Sequence, residues 1–111
     1  MEKIRLVHKK SGQLIKVLVA KSMFQKLRGL LGLKPLQEGE AMLITRCSSV
    51  HTCFMGYPLD LVYLDSELKV TKLVKSIHPW RASSCFQACQ VMEFAAGEID
   101  KMALSVGDSF Q

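Results

Sequence analysis

The alternation of apolar and polar residues along the chain predicts several short strands. Lys3 to His8 alternates, Leu14 to Val19 is apolar and rich in branched residues, and the polar turn between them contains Gly12. Two such runs around a glycine-containing turn predict a β-hairpin. Further strands are predicted at Ala41 to Thr45, Leu59 to Leu64, Lys69 to Ile77 and Gln90 to Phe94. The strand that ends at Ile77 departs from strict alternation, which indicates a bend or bulge.

Two short helices are predicted between and after these strands. Met23 to Leu31 places its apolar residues on one face, with Ser22 in the position of an N-cap. Glu98 to Leu104 follows Gly97 and turns its apolar residues inward. The elements together predict one α+β domain over residues 1–111, with a strongly curved, mostly antiparallel β-sheet that approaches a barrel.

Composition and charge narrow the class of protein. Apolar residues make up 49% of the 111 positions and charged residues 23%, which is typical of a globular domain. The net charge of +5 favours an anionic partner, but the basic residues are scattered and do not indicate nucleic-acid binding. No apolar run approaches the roughly 20 residues needed to span a membrane, and the N-terminus does not resemble a signal peptide. A cytoplasmic location is therefore expected.

The stretch from Cys47 to Asp65 is the predicted site, because a polar loop there leads directly into a strand. Alternation in that strand places Asp60 on the same face as two apolar residues, which predicts that its carboxylate is at least partly buried. A buried carboxylate needs a partner. Arg28 is the predicted one, since its planar guanidinium can bind a carboxylate at two points.

A series of short motifs occurs in a specific order between positions 20 and 108. They are Arg28-Gly29-Leu30-Leu31-Gly32, Gly39-Glu40-Ala41-Met42-Leu43, His51-Thr52-Cys53-Phe54-Met55, Pro58-Leu59-Asp60-Leu61-Val62-Tyr63-Leu64-Asp65, Pro79-Trp80-Arg81, and Glu93-Phe94-Ala95-Ala96-Gly97 followed by Val106-Gly107-Asp108. In this order they resemble the domain-of-unknown-function family numbered 192.

The resemblance implies a small α+β domain with a strongly curved sheet and no established activity. Carried over by position, it implies that Arg28, His51, Met55, Pro58 and Asp60 are the residues the family keeps. Some members of that family lie beside pilus-assembly or secretion genes, which is an association and not a mechanism.

The cysteines offer a metal site as one alternative. Cys47, His51 and Cys53 form one group of candidate zinc ligands, and Cys85 and Cys89 form another. Their spacing departs from the usual pair of cysteines two residues apart, so no cofactor is expected and zinc is the exception to test. In the opposing interpretation Cys47, Cys85 and Cys89 are small buried apolar residues.

A thiol nucleophile is a second alternative for the same residues. His51 lies two positions from Cys53 and could lower the pKa of its thiol. Trp80 beside Arg81 could form the rim of a binding site, although an aromatic residue at the end of a strand more often covers an open end of the sheet.

These observations favour a binding or accessory module. We expect a polar pocket around His51, Met55 and Asp60, supported by Arg28 and rimmed by Trp80, that binds a small polar or anionic ligand or a peptide segment of a protein partner. One alternative is a thiol- or zinc-assisted hydrolase or transferase that uses Cys47, His51 and Cys53. Another is an interaction domain that adds a partner's strand to a free sheet edge.

Overall fold

The predicted strands are all present in the computed structural model, which describes residues 2–21, 36–52 and 56–111. These residues form eight strands and one helix. The strands are β1 (Glu2–Val7), β2 (Leu14–Ala20), β3 (Glu40–Thr45), β4 (Ser49–His51), β5 (Leu59–Leu64), β6 (Val70–Ile77), β7 (Ala82–Ser84) and β8 (Gln90–Ala95), and the helix is α1 (Glu98–Lys101). β1 and β2 form the predicted antiparallel hairpin.

Six of the strands form one sheet in the order β1-β2-β3-β8-β5-β6. Only β2 and β3 run parallel, so the prediction of a mostly antiparallel sheet is confirmed. β1 and β6 are the edge strands, and the sheet is not closed into a barrel. The C-terminal segment hydrogen-bonds to both edges at one end, where Gln111 pairs with Val7 and Phe110 N donates to Leu68 O. The prediction that the sheet approaches a barrel is therefore wrong. The sheet is open, and the C-terminal segment hydrogen-bonds near both of its edges.

The described part of the chain is mostly β, with very little helix. The predicted helix from Glu98 to Leu104 is shorter in the structure, because Ala103 adopts a left-handed backbone with φ 52° that ends the helical geometry. The helix predicted at Met23 to Leu31 lies outside the described residues. The prediction of two short helices is thus not confirmed, and none of the described helices is long and apolar enough to cross a membrane.

Both faces of the six-stranded sheet are buried. The first face packs with α1 and the C-terminal segment; its largest members are Ile15, Leu64, Met92, Phe94, Ile99 and Phe110. The second face includes Met42, Ile44, Leu59, Leu61, Tyr63 and Val91. Val50 of β4 joins this second face, so the small antiparallel sheet of β4 and β7 covers it at one end. β5 is buried along its whole length because successive side chains enter opposite cores.

The predicted irregularity in β6 consists of two register shifts against β5. Tyr63 pairs with Lys72 while Leu64 pairs with Val70, and a second shift separates the pairs formed by Leu59 and Leu61. The second shift lies beside Ser76, whose backbone is left-handed at φ 51°. A bulge bends a strand and increases its twist. This bulge lies two residues before the loop that follows β6.

Candidate functional site

Asp60 is a buried carboxylate whose two oxygens are both held by backbone amides. Its side chain is 1% exposed. Ser76 N donates to Oδ1 at 2.8 Å, while Gly97 N and Ile99 N donate to Oδ2 at 3.0 and 2.9 Å. The prediction that Asp60 is buried and partnered is confirmed. The contacts tie β5 to the bulge of β6 and to the start of α1, and the expected partner Arg28 lies outside the described residues.

The loop from His78 to Arg81, here called the Trp80 loop, is held in place by hydrogen bonds with Thr52. The Thr52 side chain is fully buried, and its hydroxyl donates to His78 O at 2.6 Å and accepts from Arg81 N at 2.9 Å. The Thr52 backbone adds two bonds, because its N donates to Arg81 O at 2.8 Å and its O accepts from Trp80 N at 3.1 Å. One residue thus fixes both ends of the loop.

Trp80 lies on the surface of this loop in a left-handed backbone conformation. Its φ is 62°, and 61% of the residue is exposed. The interpretation that Trp80 covers an open end of the sheet is therefore wrong. A non-glycine residue at positive φ costs roughly 1 to 2 kcal/mol, and such strain persists only where the surrounding structure imposes it. The hydrogen bonds from Thr52 supply that constraint.

His51 lies next to the Trp80 loop. It is the last residue of β4, is half-buried, and pairs across the small sheet with Ala82, which directly follows the loop. Val50 faces the core, so alternation places His51 on the opposite face of β4. The structure therefore brings two of the predicted ligand-binding residues together, His51 and Trp80. Met55 lies outside the described residues, and Asp60 supports the loop indirectly through Ser76.

The backbones of three cysteines lie close together, because Cys47 N donates to Cys89 O at 2.9 Å and Cys85 N donates to Ser48 O at 2.8 Å, but their side chains make different contacts. The Cys47 thiol donates to Ser49 O at 2.9 Å, Cys85 Sγ lies 3.6 Å from Thr71 Oγ1, and both residues are half-buried against the second core. Cys89 is exposed, so the prediction that it is a buried apolar residue is wrong. Within residues 2–21, 36–52 and 56–111, no three His, Cys, Asp or Glu side chains are placed to hold a metal ion. Cys53 lies outside these ranges, and zinc binding stays a prediction.

A buried polar group beneath the small sheet was not anticipated from the sequence. Tyr63 is fully buried, and burial raises the pKa of its phenol. Glu93 on β8 is also fully buried and raises the same pKa through its charge. The phenol oxygen of Tyr63 and both carboxylate oxygens of Glu93 are enclosed in the core. Alternation in β8 places Glu93 on the same face as the apolar Val91, so the sequence pattern could have predicted that Glu93 is buried.

Comparison with known proteins gives a family and a fold. Residues 5–111 match the model of the family DUF192, described as "Uncharacterized ACR". No curated protein matches the chain.

Two solved structures are similar to this chain. A protein of unknown function from Novosphingobium aromaticivorans has a TM-score of 0.83 at 17% identity, covering 98% of this chain and 84% of its own. A protein from Sinorhizobium meliloti described as a "putative transcription regulator" has a TM-score of 0.80 at 22% identity, covering 99% of this chain and 92% of its own. At these identities the likeness shows the fold alone.

Proposed function

Because the chain belongs to the DUF192 family, whose description assigns no activity, we propose its function from the geometry of its surface. The protein is a binding module that holds an acidic peptide segment of a protein partner against the Trp80 loop. The observation that supports this proposal is a tryptophan fixed in an exposed, strained conformation by a buried threonine.

The loop is organised before any partner arrives. Thr52 bonds to the backbone of three of its four residues, His78, Trp80 and Arg81. Asp60 fixes Ser76 two residues upstream, so the strand that leads into the loop is also anchored. A binding surface that is already ordered loses less conformational entropy when it binds. Strain imposed on an exposed aromatic residue supports a recognition role, since such outliers cluster at functional sites.

The chemistry of the loop favours an acidic peptide with an apolar side chain. Tryptophan and arginine are the residues most enriched among those that dominate binding energy at interfaces. Arg81 is exposed beside Trp80, and its Nη1 donates to Trp80 O at 3.4 Å. The exposed His78 of the loop adds a second basic group, and the exposed Lys72 adds a third at β7, where its Nζ donates to Ser84 O at 2.8 Å. An anionic segment would complement these groups.

The test uses the fact that Trp80 is the sole tryptophan of the chain. Peptides selected from a random phage-displayed library on the wild-type protein are titrated while intrinsic fluorescence is recorded. We expect the selected sequences to be rich in Asp and Glu, and their binding to shift Trp80 emission to the blue as the indole leaves water. The affinity should weaken as salt is added, because exposed charges are screened.

Variants distinguish the Trp80 loop from the rest of the surface. Trp80→Ala should weaken binding of the selected peptides by at least about thirtyfold, the scale of a residue that dominates an interface. Phe86→Ala is the matched control, because Phe86 is 93% exposed and lies outside the loop. Selection of basic or neutral sequences, or equal binding to the two variants, would refute the proposal.

A further inference from the structure

A serine and a histidine from the start of the sequence and a carboxylate from its end form a continuous hydrogen-bonded chain outside the Trp80 loop. Ser11 Oγ lies 2.8 Å from His8 Nδ1, and His8 Nε2 lies 2.9 Å from Asp108 Oδ2. His8 is 1% exposed, whereas Ser11 lies on the surface of the β1–β2 turn. Covalent catalysis by a hydroxyl group uses three parts: the hydroxyl as nucleophile, a base that takes its proton, and a group that orients the base.

The hydrogen-bond partners determine which atom holds each proton. The bond from His8 keeps the pKa of Asp108 below its ordinary value of 3.8, so Asp108 is a carboxylate that can only accept. In the neutral imidazole, Nε2 must therefore hold the proton and donate it to Asp108. Nδ1 is left as the acceptor, and the Ser11 hydroxyl must donate to it. The hydroxyl of Ser11 thus already donates its proton in a hydrogen bond to the basic nitrogen Nδ1 of His8.

The fold fixes each member of this chain. The backbone of His8 bonds to both sides of the turn, through Gly12 N to His8 O at 2.7 Å and His8 N to Gln13 O at 2.9 Å. The Phe110 ring packs on the imidazole with the ring centroids 5.5 Å apart. Asp108 Oδ2 also accepts from Ser105 N at 3.0 Å. The base and its orienting group are consequently held in place, while the hydroxyl meets solvent.

We propose that Ser11 is a nucleophile that takes an acyl group from an activated ester. His8 is the general base, and Asp108 is a positioning residue. The Ser11 Oγ forms a bond to the acyl carbon as its proton passes to His8 Nδ1. The bond between that carbon and the leaving oxygen breaks, and the leaving group takes the proton from His8. Water then hydrolyses the acyl-serine by the reverse transfers.

The first experiment measures covalent labelling of the full chain by a fluorophosphonate probe, with the modified residue identified by peptide mass spectrometry. We expect labelling at Ser11 and a burst of nitrophenol when the protein is mixed with 4-nitrophenyl acetate. Ser11→Ala should abolish both signals in an exposed turn; because it also removes the hydroxyl that contacts His8 Nδ1 and accepts from Gln13 N, a retained circular dichroism spectrum must show that the variant is folded. Ser66→Ala is the matched control, because Ser66 also lies in an exposed turn and should leave both signals unchanged.

The second experiment tests the roles of His8 and Asp108. His8→Asn should slow labelling by about a hundredfold or more, the usual contribution of a general base. In wild-type protein, long-range ¹H–¹⁵N spectra should show the His8 proton on Nε2. Asp108→Ala should mix the tautomers and slow labelling at least about tenfold while the circular dichroism spectrum is retained.

Two results would overturn the proposal. One is the absence of labelling at Ser11 in folded wild-type protein. The other is a proton on Nδ1 of His8, since that tautomer cannot accept the Ser11 proton. Neither result would affect the proposal that the Trp80 loop binds an acidic peptide.

Discussion

Replacing Asp60 with asparagine should destabilise the protein far more than a change of one atom suggests. Both carboxylate oxygens of Asp60 accept from backbone amides: Oδ1 from Ser76 and Oδ2 from Gly97 and Ile99. Asparagine keeps one oxygen and places an amide donor at the other position. In either rotamer at least one backbone N–H then faces another donor beside a side chain that is 1% exposed.

The size of the effect follows from these bonds. A hydrogen bond to a charged group contributes about 1.5 to 3 kcal/mol, and a buried donor left without a partner costs about 1 to 3 kcal/mol. We therefore expect Asp60→Asn to lower the free energy of unfolding by about 3 to 5 kcal/mol. A chain of this length has a total stability of roughly 6 to 15 kcal/mol, so the variant should lose about a fifth of it or more.

Asp65→Asn provides a matched control for this substitution. Asp65 also accepts two backbone amides, from Glu67 at 2.9 Å and Lys69 at 3.0 Å, but both donate to the same oxygen, Oδ1. Asparagine can supply that oxygen, and the residue is only partly buried. We expect this control to lose less than about 1 kcal/mol.

Urea unfolding followed by circular dichroism measures both variants, with the free energy extrapolated linearly to water. Amide hydrogen exchange at Ser76 and Ile99 should accelerate in Asp60→Asn and not in the control. If the two variants unfold within about 0.5 kcal/mol of each other, the assignment of both Asp60 oxygens to backbone donors is incorrect.

Three further predictions concern other contacts. The pKa of Asp108 is lowered mainly by its bond with His8. The stability that the Asp108 carboxylate provides is therefore present above pH 3.8 and is lost as the pH falls through the lower folded-state pKa. Thermal unfolding of Asp108→Asn should depend less on acid pH than that of the wild-type protein. Thr52→Val removes the hydroxyl that holds the Trp80 loop and should cost about 1 to 3 kcal/mol in urea unfolding; the fluorescence anisotropy of Trp80 should fall, whereas Thr52→Ser should retain it. Gly97→Ala should cost about 1 to 2 kcal/mol in the same assay, because φ is 97° while an added Cβ would meet no atom within 4 Å, and a stabilised variant would contradict this reasoning.

Several parts of the fold could be predicted because they depend on local patterns. The limits of β5 match the apolar run from Leu59 to Leu64, and the hairpin follows from two alternating runs around a glycine turn. The bulge in β6 was visible as a break in alternation. The burial of Asp60 followed from the face that it shares with apolar neighbours. Whether the sheet closes into a barrel could not be predicted from local patterns, because closure depends on which strands become edges.

The partners of the polar residues could not be predicted in the same way. The sequence suggests Arg28 as the partner of Asp60, a residue that lies outside the described part of the chain, but it gives no sign of the donors that the described residues supply, which are backbone amides of a bulge and of a helix start. Those donors become available only after β6 and α1 have packed against β5. The sequence favours Trp80 as a cover for an open end of the sheet, but Thr52, distant in sequence, holds the Trp80 loop so that 61% of Trp80 is exposed.

The sequence by itself therefore determined where the six strands of the main sheet lie, because their apolar residues repeat at the period of the backbone, but it did not predict β4 and β7. Only the tertiary structure decided which polar atoms meet. His8 and Asp108 are 100 positions apart, and they are joined because the C-terminal segment pairs with the end of β1. Hydrogen bonds act over about 3 Å, so the chemistry of both proposed sites depends on contacts that the order of residues does not contain.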